Sequence, residues 1–459
     1  MSRGLNFRAA WLTLRGAAPP RRSWPCPGGT IVVNLDLRTR SDADVRPLDF
    51  VSFHEDALPR LLRSATAELA AHGVELLGLR PLALAVDGSA YTYAVAGGKL
   101  EVRPGEDGAE AVAELTPQAF ADLMQDLRST IGLLISDDVR MRRGSQRSFV
   151  DWEPVLRAML DGRPVYQPGS IDLRDRDGSP LRLQRTFRLG DAPAEMAHFL
   201  GAAGFLHIAG MFTADEMAAL GADIDRAAPL YAPDDGRSWW ARTRAGEHRP
   251  VRLQYFQEHS AATRALLDDP RLLAIADLTT NRHRAARRGE NAIEALIKPI
   301  GVVEGISDVS WHKDCSLGRH SYQCCGITVG ISVTDSDAAS GQLCVVAGSH
   351  RANVPLRGLR DDLDLPRVGL PTRAGDVTVH LSCTLHMSIP PTARERRVMY
   401  TGLALPPRAG DSRPAYDALR AVREQAPRKV AALAGTSISD DPEMERVNRF
   451  DTRGVRSTR

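Results

Sequence analysis

Trp311-His312-Lys313-Asp314 is followed about 70 residues later by Leu385-His386-Met387-Ser388, and 11 residues beyond His386 stands Arg397. Two imidazoles and one carboxylate are the ligand set of a non-haem Fe(II) centre that keeps coordination positions open. On an extended strand, residues i and i+2 project from the same side. His312 and Asp314 can therefore reach one metal ion while Lys313 points away. The third ligand must come from elsewhere, and a distant strand of a β-barrel can supply it. An arginine near that ligand can grip a carboxylate with two parallel hydrogen bonds. His-x-Asp alone occurs often by chance, so it is the combination that carries weight.

Three histidines compete for the third position. His350 ends the turn Gly348-Ser349-His350. His380 lies in the apolar run 377–381 and reads as a core histidine. His386 shares a face with Ser388 and has Arg397 at the +11 offset. Alternation puts Arg396 and Arg397 on opposite faces. The offset turns Arg397 inward and leaves Arg396 to solvent or to Glu395. If His386 and Arg397 lie on adjacent antiparallel strands joined near Pro390-Pro391, the guanidinium reaches the metal cavity.

These blocks resemble, in order, the phytanoyl-CoA dioxygenase family of Fe(II)/2-oxoglutarate oxygenases. Gly204-Phe205-Leu206-His207-Ile208-Ala209-Gly210-Met211-Phe212 is similar to the family's opening segment, and Ile297-Lys298-Pro299 to the stretch ahead of the metal strand. Gly341-Gln342-Leu343-Cys344-Val345-Val346-Ala347-Gly348-Ser349-His350 resembles its "Gly-x-Leu-x-Val-x-Pro-Gly-Ser-His" segment, with Ala347 in place of Pro. The run from Gly375-Asp376 through His386 to Arg397 resembles the distal block. The resemblance spans roughly residues 195–407. It implies a double-stranded β-helix (jelly roll) with Fe(II) on His312, Asp314 and His386. It further implies 2-oxoglutarate anchored by Arg397, with Ser388 and Lys298 on the same co-substrate, and O2 as oxidant. An unactivated C–H bond would be hydroxylated with release of succinate and CO2. Related halogenases replace the carboxylate ligand by a small residue to admit halide, so Asp314 favours hydroxylation. The family handles acyl-CoA thioesters, amino acids and natural products, which leaves a small-molecule, acyl or lipid-like substrate.

The 459 residues exceed one ordinary domain. Hydrophobic residues make up 43% and charged ones 25%, the balance of a soluble globular protein. The net charge is +2 and no long basic run occurs, which argues against general nucleic-acid binding. No apolar run reaches the length of a membrane span, and the first 30 residues lack a secretory apolar core. The six cysteines, Cys26, Cys315, Cys324, Cys325, Cys344 and Cys383, contain no Cys-x-x-Cys pair. Five of them fall in the expected oxygenase core and read as buried thiols of a reducing, cytoplasmic setting.

The chain divides into a disordered extension (1–30), a smaller α+β module (31–170), a charged linker (171–192), the oxygenase domain (193–410) and a carboxy-terminal helix with a disordered tail (411–459). In the first module, 90–95 and 99–103 read as hairpin strands around Gly97-Gly98. Thr116-Pro117 opens a helix, and 152–160 forms another, stopped at Asp161-Gly162. The module loosely resembles the sterol-carrier-protein-2-like domain through Ala113 to Phe120, Met141 to Gly144 and Trp152 to Gly162. That likeness implies either a scaffold or a lipid pocket. Helices are expected over 214–230 and 260–278, strands over 293–405, and a solvated basic loop at 281–289. The oligomeric state is not legible. Two rival readings remain: a jelly-roll metal oxygenase that does not use 2-oxoglutarate, and a lipid or metabolite binder with a vestigial metal site. The clamp formed by Arg397 and Ser388 argues against the first, and the intact ligand set against the second.

Overall fold

A computed structural model describes residues 46–404, except 234, 280–283, 286–291, 306, 318–325, 357, 359 and 361, and also residues 454–457. The expectations for 1–30, for most of 281–289 and for the carboxy-terminal helix after 410 lie outside the described residues.

The first module is a five-stranded sheet of β1 (Leu82–Val86), β2 (Ser89–Ala96), β3 (Lys99–Pro104), β4 (Ala111–Leu115) and β5 (Val139–Arg143), in the order β3-β2-β1-β4-β5. Gly97 and Gly98 both take positive φ, at 57° and 73°, which the two-residue hairpin turn between β2 and β3 requires. Thr116 caps the helix Pro117–Met124 by accepting from Ala119 N. The helix Gln146–Asp161 ends at left-handed Gly162, as the sequence anticipates, but it starts well before Trp152 because Ser145 caps its first turn. This helix and Ala65–Leu77 pack on the sheet face carrying Leu82, Leu84 and Val86. The rings of Phe50, Phe53, Tyr91 and Phe120 fill the space between, with His54 stacked on Tyr91.

The second module is a jelly roll, so the whole is α+β. Its strands are β6 (Phe205–Ile208), β7 (Ser238–Thr243), β8 (His248–Leu253), β9 (Arg284–Ala285), β10 (Ile293–Lys298), β11 (Val302–Gly305), β12 (Ile327–Ser332), β13 (Leu343–Val346), β14 (Arg367–Leu370), β15 (Val377–Leu381), β16 (His386–Ser388), β17 (Arg396–Ala404) and β18 (Val455–Ser457). The larger sheet runs β11-β7-β8-β10-β17-β12-β15-β6 with β9 beside β17, and the smaller runs β16-β13-β14-β18. Part of the expected disordered tail is therefore a strand, β18, parallel to β14.

Register decides what each face of the large sheet carries. Lys298 lies opposite Arg396, Thr328 opposite His380, and Ile297 opposite Arg397. Directly opposed residues share a face. Even-numbered residues of β10, β12, β15 and β17 thus face the interior, towards the small sheet. Odd-numbered ones face the helices, where Met399 meets Thr263 and Arg397 meets the helix Ala214–Ala227. That helix carries a capping box, Thr213 with Glu216. The helical stretch expected at 260–278 is split into Ala261–Leu266 and Pro270–Ala276, because Pro270 cannot continue a helix and instead opens one behind the cap Asp269.

The segment expected as a linker, 171–192, is more than that. Phe187 is fully buried and makes a parallel bridge to Ile208, with Leu181 and Leu183 beside it in the oxygenase core. No helix among the described residues is long and apolar enough to cross a membrane. Cys315, Cys344 and Cys383 are buried.

Candidate active site

His386 opens β16 at the rim of the small sheet. Its backbone forms a single two-way bridge with His312, each N–H donating to the other's carbonyl at 2.9 Å. This sets the two imidazoles side by side, with ring centroids 4.2 Å apart. The His-x-Asp segment is not the continuous strand that was expected. After the bridge the chain turns into the short helix Asp314–Leu317, with Lys313 N donating to Leu356 O and Cys315 N to Ser382 O. The carboxylate nonetheless returns to the histidines. Asp314 Oδ1 lies 3.6 Å from His312 Nε2 and 3.4 Å from His386 Nε2. One ligand atom of each residue lies within 4.8 Å of the others. Lys313 does point away, fully buried, with Nζ donating to Ser349 O and Ala352 O.

Neighbouring carbonyls fix the imidazoles. His312 Nδ1 is 2.7 Å from Ser310 O and His386 Nδ1 is 3.0 Å from Thr384 O. A carbonyl only accepts, so Nδ1 carries the proton and Nε2 keeps its lone pair facing Asp314, the tautomer that a metal needs. Electrostatics complete the picture. Burial and the neighbouring His386 push His312 down to about 4, so it is neutral near neutral pH. Burial opposes charge on His386 too, but Asp314 outweighs it and raises this imidazole above its ordinary value. Loss of solvent would raise the Asp314 carboxyl, yet His386, with His312 and His380 beside it, holds it well below the usual range. Two neutral-capable imidazoles and one carboxylate with a third of its side chain still open fit a divalent iron.

The other two candidate histidines separate. His350 lies away from the centre, with Nε2 on Gly201 O at 2.9 Å. His380 is not remote. Its Nε2 lies 3.2 Å from Asp314 Oδ2, and its ring, tilted against that of His386, has its centroid 4.2 Å away. Reading it only as a core histidine missed this, because the sequence does not show that β15 lies beside β12 under the metal.

A second polar cluster lies further along the same interior face. Arg396, only 2% exposed, donates through Nη1 to Ser388 Oγ at 3.0 Å and Gly341 O at 2.8 Å. Lys298 Nζ donates to Ser388 Oγ at 2.5 Å and Ile389 O at 2.9 Å, and pairs with Asp308. Burial, with Arg396 adding to it against the pull of Asp308, lowers this ammonium to about 8. Ser388 and His386 are i and i+2 on β16, so the cluster sits about 7 Å along the strand from the metal ligands. Ser388 and Lys298, both expected on the co-substrate, meet in this cluster.

Arg397 does not. Its guanidinium bonds Glu395 at 2.9 Å and Asp225 at 2.7 Å, on the helix-covered side of the sheet. The inward arginine is Arg396. His386 and these arginines are not on adjacent strands either. β16 belongs to the small sheet and β17 to the large one, so the count across the intervening turn fixes no parity. The register with β10 does. Asp308 also went unnoticed in the sequence, for want of any spacing signal.

Two cations and one carboxylate leave this buried cluster one positive charge in excess, and Arg396 Nε is buried without a partner. Both features suit the carboxylate of a bound dicarboxylate such as 2-oxoglutarate.

The family model for phytanoyl-CoA dioxygenase (PhyH) matches residues 201–398. No curated protein sequence matches the chain. Among solved structures, the non-haem alpha-ketoglutarate-dependent epimerase SnoN from nogalamycin biosynthesis is similar at 22% identity, over 46% of this chain and 80% of its own, with a TM-score of 0.37. EctD from S. alaskensis, solved with bound Fe, is similar at 20% identity over 47% of this chain and 78% of its own, TM-score 0.38. HygX from Streptomyces hygroscopicus, solved with nickel and 2-oxoglutarate bound, is similar at 20% identity over 45% and 84%, TM-score 0.33. Residues 201–398 are thus a phytanoyl-CoA dioxygenase domain, of the family of dioxygenases that use Fe(II), 2-oxoglutarate and O2.

Proposed function

We propose that this chain hydroxylates an unactivated C–H bond of a small-molecule, acyl or lipid-like substrate, turning 2-oxoglutarate into succinate and CO2. His312, Asp314 and His386 would hold the iron. Arg396, assisted by Lys298 and Ser388, would take the far carboxylate of 2-oxoglutarate, the role assigned from the sequence to Arg397. When bound, the iron supplies O2 activation and the co-substrate supplies two electrons. The protein's own part is to place the co-substrate and keep water from the site. The observation that carries this reading is the pairing of a two-His-one-carboxylate set with a buried, cation-rich cradle on one interior face.

That cradle also weighs against a metal oxygenase without 2-oxoglutarate, which needs no second carboxylate site. Asp314 as a ligand leaves no vacancy for halide, which favours hydroxylation. An apolar group of Ile131, Ile135, Val150 and Leu356, with Leu134, Trp239 and Val309 against it, joins the two modules next to the segment that carries His312. The test is to load the protein with Fe(II) without oxygen, add 2-oxoglutarate and candidate acyl or natural-product substrates, admit O2, and follow succinate and product mass. A substrate-dependent rise in succinate with a gain of one oxygen atom is expected. No 2-oxoglutarate consumption by iron-loaded protein would overturn the reading.

A further inference from the structure

We propose that His380 and Thr328 form the outer half of the metal centre, pinning one oxygen of Asp314 so that only the other faces the ion. The inference rests on the metal reading above and deepens it. Thr328 and His380 are directly opposed on β12 and β15, and both project into the interior. They converge on the same atom. Thr328 Oγ1 donates to Asp314 Oδ2 at 2.7 Å, and His380 Nε2 lies 3.2 Å from it. His312 and His386 address the other oxygen, Oδ1. The carboxylate is thus divided, one oxygen towards the ligand imidazoles and one towards two partners on the large sheet.

The proton on His380 follows from its surroundings. The residue is 1% exposed and its Nδ1 has no hydrogen-bond partner. With the proton on Nε2, the ring donates to Oδ2 and leaves a bare acceptor at Nδ1. With the proton on Nδ1, a buried N–H would go unpaired and two lone pairs would face each other across 3.2 Å. The first arrangement wins, and it makes His380 a donor to the carboxylate. Its Nε2 is then engaged and unavailable to a metal, so His380 is a positioning residue and not a fourth ligand.

The consequence concerns coordination. Asp314 stands at the start of a short helix, and rotation about its own side-chain bonds leaves the backbone unable to decide which oxygen faces the ion. A freely rotating carboxylate can bind through both oxygens and close a position that the co-substrate or O2 needs. Two donors on Oδ2 keep it one-toothed. Outer partners of this kind are typically worth about 10–100-fold in metal affinity.

The experiment uses the full chain and Co(II) as a spectroscopic probe. Cobalt affinity is measured for wild type, His380→Ala, His380→Gln, Thr328→Val and Thr328→Ser, with folding checked by circular dichroism. Ligated imidazoles are counted from their shifted ring N–H resonances. We expect roughly 10–100-fold weaker binding in His380→Ala and Thr328→Val, partial recovery in the Gln and Ser variants, which restore a donor, and two ligated imidazoles throughout. Undiminished affinity in both His380→Ala and Thr328→Val overturns the inference alone. So does a fall from three ligated imidazoles to two in His380→Ala, which would make His380 a ligand. Failure of wild type to bind cobalt overturns the metal reading as well.

Discussion

Arg396 and Arg397 show what a single residue of offset does. The two differ by one position, yet one guanidinium lies buried against Ser388 and the other bonds Asp225 on the opposite side of the sheet. Truncating a buried, hydrogen-bonded partner of a carboxylate typically costs about 2–5 kcal/mol. Arg396→Ala should therefore weaken 2-oxoglutarate binding roughly thirtyfold or more, read by calorimetry on the metal-loaded protein, while Arg397→Ala leaves it near wild type. The opposite ranking would restore the sequence assignment. The metal residues make a second prediction. His312→Ala and His386→Ala should each abolish Fe(II) binding, and His350→Ala should not. Because Asp314 raises His386 above an ordinary imidazole, the metal must displace a proton there. Metal affinity should fall as pH drops through that raised value, with about one proton released per ion bound. A metal affinity independent of pH around neutrality would mean that His386 is not a ligand. Spacing and resemblance sufficed to expect His312, Asp314 and His386 in one cluster, with Ser388 and Lys298 near it, and the structure does bring these side chains together. The parity of β17 was not, because it depends on pairing with β10, which no local pattern encodes.

The elements that carry these residues are short, and turns hold them in place. β16 has three residues, and Gly341 holds the cradle from the adjoining loop. Its carbonyl accepts from Arg396 and from Ser388 Oγ, its φ is +83°, and a Cβ there would meet Ile389 O at 2.3 Å and Lys298 Nζ at 3.3 Å. Only glycine fits such a position without strain. Gly341→Ala should lower the melting temperature and weaken 2-oxoglutarate binding while leaving metal affinity close to wild type, since neither His312 nor His386 touches it. Equal losses of metal and co-substrate would mean that the two clusters are not separable. The hairpin at Gly97-Gly98 and the helix behind Thr116-Pro117 were legible because those residues punctuate them, and the jelly roll was legible through the resemblance. The turn at Asp314 was not, since nothing in Trp311-His312-Lys313-Asp314 marks where the strand ends. What ends it is backbone pairing with Leu356 and Ser382, far away in the chain.

At the scale of the whole molecule, the two modules are joined where the metal segment lies. The sequence suggested separable units, with every catalytic candidate at or after Lys298 and a charged linker between. The packing is closer than that. The helix Thr130–Ile135 lies against the turn Asp314–Leu317. Asn353 Nδ2 donates to Pro154 O at 2.9 Å and Arg163 O at 3.0 Å, and Tyr166 N donates back to Asn353 O. Burial lowers the ammonium of Lys313, which lies between the two metal-binding residues, and buried Glu153, bonded to Thr130, acts against that loss. A chain beginning near Gly190 would expose Leu356, strip these partners from Lys313 and Asn353, and remove Leu181, Leu183 and Phe187 from the oxygenase core. Deleting one large apolar side chain from a core typically costs about 2–5 kcal/mol, so three together are comparable with the whole margin of a domain. Such a truncation should therefore fold poorly or bind Fe(II) far more weakly than the full chain. To separate the metal-site effect from the depletion of the core, Asn353→Ala and Ile131→Asp in the full chain should weaken metal binding while circular dichroism stays native. If the truncated protein folds and binds Fe(II) and 2-oxoglutarate as the full chain does, the first module is a detachable scaffold and its packing against the metal turn is incidental.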